Sequence, residues 1–129
     1  MTMCSLASWP RLRLVLLCVI VQGCGSEGRT LSLDKGQARI ACQEFLNAWQ
    51  AGEKSDSLQP EIYGKDTDWD AGLKLAAFEL LPNERDGGSN LHIPVRLTLK
   101  NAQGRESQVD VVYIVGTTPQ VSVFREGID

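Results

Sequence analysis

The sequence predicts an α+β domain in which one long N-terminal helix packs on a four-stranded antiparallel meander sheet. Apolar residues between Asp34 and Ala51 recur at spacings of three and four, which is the period of an amphipathic helix. Residues 91–100 alternate between apolar and polar, as in a strand with one buried and one solvated face. The strand-like segments after residue 72 are joined by short turns, which favour antiparallel pairing in sequence order.

The first element is a helix from Leu33 or Asp34 to Ala51. Asp34 can cap it, with Gln37 at the reciprocal position three residues later, and Gly52 follows as a C-terminal cap would. We expect its apolar stripe to pack on the sheet, with the cysteine as a buried and unreactive thiol and the aromatic residues as core. The stripe consists of Ala38, Ala41, Cys42, Phe45, Ala48 and Trp49.

The connector, residues 53–72, contains the acidic run Asp66-Thr67-Asp68-Trp69-Asp70-Ala71-Gly72. Alternating aspartates resemble the opening of an EF-hand calcium loop, which has glycine at its sixth and glutamate at its twelfth position. In this run the glycine, Gly72, is the seventh residue, and Ala77 takes the twelfth position. Because aspartate side chains also cap helices and form turns, the run is explained without a metal ion, and we predict no metal site.

Four strands are predicted in the second half, at residues 73–81, 91–100, 107–116 and 120–125. Regular alternation in the first puts Leu75 and Ala77 on one face and Phe78 on the other, and leaves the side of Glu79 open. Pro94 has no backbone N–H, so its strand is either an edge or has that position facing solvent. The residues expected to face the core from the next two strands are Leu91, Ile93, Val95, Leu97, Leu99, Val109, Val111, Tyr113 and Val115.

If the strands pair in sequence order, polar side chains share the other face of the sheet. We identify His92, Arg96, Lys100 and Asp110 as a candidate binding face, on which Thr98 and Gln108 would also lie. A mixed-charge face of this kind can orient a partner. The alternative interpretation is an ordinary solvated surface.

The motifs of several enzyme classes are missing from the sequence. It contains no Gly-rich phosphate loop, no CxxC, no HExxH and no serine elbow, so we predict no catalytic residue, no cofactor and no metal. The net charge is −3 and no basic stripe occurs. A nucleic acid is therefore not an expected partner.

The N-terminus carries a separate signal. Arg11 and Arg13 precede an apolar run at residues 14–21, and Gly23 and Cys24 follow it closely. Eight helical residues cover only ~12 Å of the ~30 Å hydrocarbon core, so the run is too short to span a bilayer. This order resembles a bacterial lipoprotein signal peptide, with Val21, Gln22 and Gly23 as the lipobox before Cys24. Gln22 is larger than the residue usual at its position.

The resemblance implies cleavage before Cys24 and acylation of that cysteine. Residues 1–23 would then be the signal peptide, residues 24–30 a flexible tether and residues 31–129 the folded domain. The protein would be held in the bacterial cell envelope, facing the periplasm or the cell exterior, and the lipid membrane would be a partner through acylated Cys24. Two alternatives stay open: plain secretion, in which Cys24 could pair with Cys42, and a run retained as a buried core helix.

A helix, a connector and then a curved sheet resemble the cystatin-like and nuclear transport factor 2-like folds, and the single long helix favours the cystatin-like arrangement. The chain as a whole resembles small exported bacterial lipoproteins. The resemblance implies a membrane-anchored envelope protein with a non-enzymatic binding or structural role, whose partner would be an envelope protein or a wall component. The alternative is a small-ligand-binding or enzymatic domain with a pocket between helix and sheet, lined by Trp49, Phe78 and Tyr113.

Overall fold

The computed structural model describes residues 32–127, which belong to one compact unit. The predicted signal peptide and tether, residues 1–30, lie outside the described residues. The α+β class is confirmed. In chain order the elements are helix α1 (Lys35–Gln50), strand β1 (Tyr63–Lys65), the short helix α2 (Thr67–Asp70) and strands β2 (Lys74–Leu80), β3 (Arg85–Asp86), β4 (Asn90–Lys100), β5 (Glu106–Gly116) and β6 (Ser122–Arg125).

Helix α1 begins and ends where its capping residues predict. The Asp34 carboxylate accepts a hydrogen bond from the backbone N–H of Gln37 at 3.0 Å. After the C-cap Ala51, the chain turns away at Gly52, whose φ of 85° is a left-handed conformation that glycine adopts without strain. Every residue of the predicted apolar stripe is buried, and Leu46 is buried with them.

The sheet differs from the predicted four-stranded antiparallel meander. Within residues 32–127 it has six strands in the order β1-β6-β5-β4-β2, with β3 also paired to β4. The four predicted strands are consecutive antiparallel neighbours, but β1 adds to β6 in parallel, with Tyr63 opposite Ser122. The connector thus contributes an edge strand, and the sheet is mixed. A three-residue strand is too short to show alternation, and its pairing partner is distant in sequence.

Strand β2 contains a β-bulge, after which its side chains point to the opposite face from the one predicted. Leu75 lies opposite Leu99, but two residues later Ala77 lies opposite Thr98, so Ala76 is the inserted residue. Beyond the bulge, Phe78 joins Leu75 on the inner face, and Glu79 lies opposite Arg96 on the outer face. The regular alternation expected for this strand is therefore wrong after Ala76.

The core forms between α1 and the inner face of the sheet. Phe45 of α1 lies edge-on to Trp69 of α2 and to Tyr113 of β5, with ring centroids 5.0 and 6.1 Å apart. Such edge-to-face pairs add to the gain from apolar burial. The inward residues predicted for β4 are all buried, as are Tyr113 and Val115, while Val109 and Val111 are partly buried at the margin of the core.

Pro94 lies at a gap along one side of the central strand β4. The last pair of β2 is Leu80 with Val95, and the nearer pair of β3 is Arg85 with His92, so Pro94 falls between them. Its carbonyl still accepts a hydrogen bond from the Leu81 N–H at 2.8 Å. The strand is therefore not an edge, and the missing proline N–H lies where no ladder bond is needed.

Candidate functional site

The outer face of the sheet, opposite α1, brings Arg96 and Asp110 together. The two residues are direct cross-strand partners, with Arg96 Nε 2.9 Å from Asp110 Oδ1 and a second guanidinium nitrogen 3.2 Å from Oδ2. These hydrogen bonds hold the pKa of Asp110 below its ordinary value and raise the pKa of Arg96. The pair is exposed and bidentate, so it forms a fixed, neutralised unit on this surface.

The polar ladder continues toward the far end of β4 and β5. Gln108 donates to the Thr98 hydroxyl at 3.4 Å, and Lys100 Nζ lies 3.9 Å from Glu106. Lys100 therefore shares a surface with the Arg96–Asp110 pair. Three of the four candidate residues lie together there.

His92 is on the same face but belongs to a different group of side chains. Its Nδ1 lies 3.1 Å from an Arg85 guanidinium nitrogen and 3.2 Å from Glu126 Oε1, and its side chain is 19% exposed. Pro94 separates it along the strand from Arg96. Its contacts link β3, through Arg85, to Glu126, which follows β6.

The outer face also carries an apolar patch that the sequence analysis did not identify. We define it as Pro94, Val112, Ile114 and Phe124. Phe124 is 45% exposed and pairs with Ile114, while Val112 pairs with Pro94. A shallow depression of about 470 Å³ lies beside the patch and reaches the Arg96–Asp110 pair. In the sequence, the patch is indicated by Val112 and Ile114, two aliphatic residues at positions of β5 that continue the polar series of Gln108 and Asp110.

A buried carboxylate ties the connector to the sheet. Asp66 is fully buried, and its Oδ1 accepts the N–H groups of Asp68 at 2.8 Å and Trp69 at 3.3 Å, which caps α2. Its Oδ2 accepts from the Tyr113 hydroxyl, and Arg125 lies 3.2 Å from Oδ1. Burial and the adjacent carboxylate raise the pKa of Tyr113, so the phenol stays a donor. The sequence indicated the cap, but not the partners on β5 and β6.

The other two aspartates of the acidic run also have partners within the chain. Asp68 pairs with Arg125, and Asp70 contacts the Ser55 hydroxyl and the Lys65 ammonium, each at 3.1 Å. Within residues 32–127, no group of three or more His, Cys, Asp or Glu residues is placed to hold a metal ion. The three carboxylates act in capping and ion pairing.

An open cleft of about 670 Å³ lies at the C-terminal end of α1. The indoles of Trp49 and Trp69 stack at its base, with centroids 5.5 Å apart and planes 4° from parallel. Their N–H groups donate to the carbonyls of Leu73 and Glu53, at 2.8 and 3.0 Å. Because both rings are almost fully buried and their donors are used, they stabilise the cleft rather than offer a free stacking surface.

Residues expected to line a pocket between helix and sheet lie in packed surroundings. Trp49 and Tyr113 belong to the core, and Phe78 packs against it. Neither Phe78 nor Tyr113 lines the cleft at the end of α1. Cys42 is buried in the same core, and burial raises the pKa of its thiol to about 12. Cys24, to which a secreted form could pair it, lies outside the described residues.

Among residues 32–127, no helix has the length and hydropathy needed to cross a membrane. Comparisons of the chain with protein-family models, with curated proteins and with solved structures gave no match.

Proposed function

We propose that the chain is a lipoprotein of the bacterial cell envelope. It is anchored through acylated Cys24, and its domain binds an envelope protein or a wall component without catalysing a reaction. The basic residues, short apolar run and cysteine at the N-terminus support the anchor. The apolar patch beside an ion-paired ladder supports the binding role.

The apolar patch carries the binding proposal. Phe124 is a large aromatic side chain left 45% exposed on a strand, between Ile114 of β5 and Lys65 of β1. The Arg96–Asp110 pair borders this group on one side, and the cluster of His92 and Glu126 borders it on another. An apolar centre with a charged rim is the usual composition of a protein interface, and exposed aromatic anchors often supply most of its energy.

The proposed anchor would hold one end of the domain close to the bilayer. The Asp34 N–H donates to Thr117 Oγ1 at 3.1 Å, and the Thr118 hydroxyl donates to the Ser32 carbonyl at 3.2 Å. The chain entering α1 is thereby tied to the β5–β6 turn. Residues 25–31 reach at most about 25 Å when fully extended. The N-terminal end of α1 would therefore stay within that distance of the anchor.

The binding role is tested by capture from envelope extract with the full chain as bait. The Phe124→Ala variant should retain a specific partner at least about tenfold less well, as expected for an interface anchor. Ile40→Ala is the matched control, because Ile40 is 57% exposed on α1, away from the outer face. Equal capture by both variants and the parent would contradict the proposed surface.

The anchor is tested independently by intact-mass analysis of the protein from its native membrane. We expect a chain that begins at Cys24 and carries a diacylglycerol or triacyl adduct. The Cys24→Ser variant should lose this adduct and leave the membrane fraction. An unmodified chain that retains Met1 in the soluble fraction would overturn the anchor.

A further inference from the structure

Among residues 32–127, strand β2 forms one edge of the sheet over seven residues and pairs only with β4. The Leu81 N–H is directed at β4, where it donates to Pro94. Because backbone groups alternate in direction along a strand, Phe78 and Leu80 direct theirs away from β4. Such an edge can pair with an added strand.

The two charges on this edge form no salt bridge among residues 32–127. Lys74 and Glu79 are both exposed, and neither has an ion-pair partner within salt-bridge distance among residues 32–127. Lys74 lies opposite Lys100, a like-charge arrangement that costs stability. Glu79 lies opposite Arg96, whose guanidinium is already bonded to Asp110. Each charge is therefore available to an opposite charge on an incoming strand.

The bulge makes the edge complementary to itself. In a regular strand, Leu75 and Phe78 would face opposite sides, and a two-fold axis between Ala76 and Ala77 would bring outward residues opposite inward ones. The residue inserted at Ala76 puts Leu75 and Phe78 on the same inner face. By the same shift Lys74 and Glu79 share the outer face. An antiparallel copy of β2 then matches inner with inner and outer with outer.

We propose that two copies of this chain associate through their β2 edges, about a two-fold axis between Ala76 and Ala77. Lys74 of each copy lies opposite Glu79 of the other on the outer face. Leu75 of each lies opposite Phe78 of the other on the inner face, which covers the exposed part of Phe78. The two sheets then continue into one another, as in other symmetric edge-to-edge dimers.

The bulge itself does not obstruct this pairing. The Ala76 carbonyl already accepts a hydrogen bond from the Gln50 side chain of α1 at 2.9 Å. The inserted residue therefore brings no unpaired carbonyl into the interface. The contact is short and polar at its ends, so the dimer is expected to be weak and dependent on concentration.

Charge exchange tests the proposal, with the full chain studied by sedimentation equilibrium in density-matched detergent. In the Lys74→Glu variant, two glutamates face each other at each end of the contact. In the Glu79→Lys variant, two lysines do. Each variant alone should dimerise at least about tenfold more weakly than the parent. An equimolar mixture of the two should form a heterodimer, because every facing pair is then of opposite charge.

The double variant K74E/E79K should dimerise like the parent, since both pairs are inverted together. Lys54→Glu is the control for net charge, because Lys54 is exposed outside the sheet. A parent that stays monomeric at all accessible concentrations overturns the proposal. So does a dimer that the single variants do not weaken, or a mixture that shows no recovery.

Discussion

The Tyr113 hydroxyl donates a hydrogen bond to the buried carboxylate of Asp66, which lies 47 positions earlier in the chain. The bond joins the inner face of β5 to the cap of α2. Arg125, at the end of β6, reaches the same carboxylate and that of Asp68. One buried anion therefore holds together the connector and two strands. Its charge is offset by one guanidinium and by three further hydrogen-bond donors.

Removal of either member of this bond should destabilise the domain. Tyr113→Phe is expected to cost about 1–3 kcal/mol, because it leaves a buried charged acceptor short of a donor. Asp66→Ala should cost more, because it removes the cap of α2, the acceptor of the Tyr113 hydroxyl and one of the two carboxylates that pair with Arg125. The free energy of unfolding measured in urea gives both values. The variant that carries both Asp66→Ala and Tyr113→Phe should be destabilised by less than the sum of the two single variants. A destabilisation equal to that sum would show that the two groups do not interact.

The helix and the long strands could be predicted because their signals are local. Phe45 and Trp49 follow the helical spacing, and Asp34 is a cap within the same segment. The alternation of β4 is regular over its whole length, so its inner and outer faces are correct. These elements needed no knowledge of distant contacts.

The parts that could not be predicted depend on distant residues. The strand Tyr63–Lys65 exists because β6 lies alongside it, and three residues carry no period of their own. The bulge at Ala76 is hidden in a run of apolar residues that fits either face. The apolar patch needs Phe124 on β6 to meet Ile114 on β5, which follows only from register. That Lys74 and Glu79 lie on the same face of the edge strand follows only from the bulge.

Gly64 should be intolerant of any side chain. A Cβ placed there would lie 2.2 Å from a ring carbon of Phe45 and 2.9 Å from the backbone oxygen of Val123. Gly64→Ala must displace a core ring or separate β1 from β6, so we expect it to lower the unfolding free energy by about 1–3 kcal/mol.

Gly36→Ala is the matched comparison for this measurement. Gly36 lies in the first turn of α1, where an added Cβ meets only Asp34 Oδ1, at an ordinary 3.6 Å. Alanine favours the helix, so this variant should gain a few tenths of a kcal/mol, up to about 1. Urea denaturation of both variants decides the point. Equal stability of Gly64→Ala and the parent would show that β1 is not packed as described.

Cys42 should react with thiol reagents only when the domain opens. Burial raises the pKa of its thiol from 9.0 to about 12, so almost no thiolate exists in the folded state near neutral pH. Peptide mapping after alkylation of the full chain should show Cys42 modified far more slowly than in urea. Rapid labelling of the folded protein would contradict a buried thiol.

The same shift predicts a loss of stability in alkali. A group whose folded pKa is raised contributes its full stabilisation below the unfolded value, and loses it as the pH rises toward the folded value. For Cys42 this window runs from about pH 9 to about pH 12. The raised pKa of Tyr113 adds a second loss above its ordinary value of 10.0. Cys42→Ala should therefore flatten the decline from about pH 9 upward. Between pH 9 and pH 10, where Tyr113 contributes little, an unchanged slope would rule out the thiol as its source.

The Arg96–Asp110 pair on the outer face should be visible as a shift in one carboxyl titration. The hydrogen bond from Arg96 is the main cause that lowers the pKa of Asp110, so Arg96→Gln should return it toward the ordinary value of 3.8 in an NMR titration. A lowered carboxyl pKa contributes stability above the ordinary value, and that stability is lost as the pH falls through the folded value. Because the pair is exposed, the change in stability should be small. Lys100→Gln is the control, since Lys100 pairs with Glu106, and it should leave the Asp110 titration where it was. If both variants shift the Asp110 pKa equally, the overall charge of the face lowers that pKa, and the bidentate contact with Arg96 is not the cause.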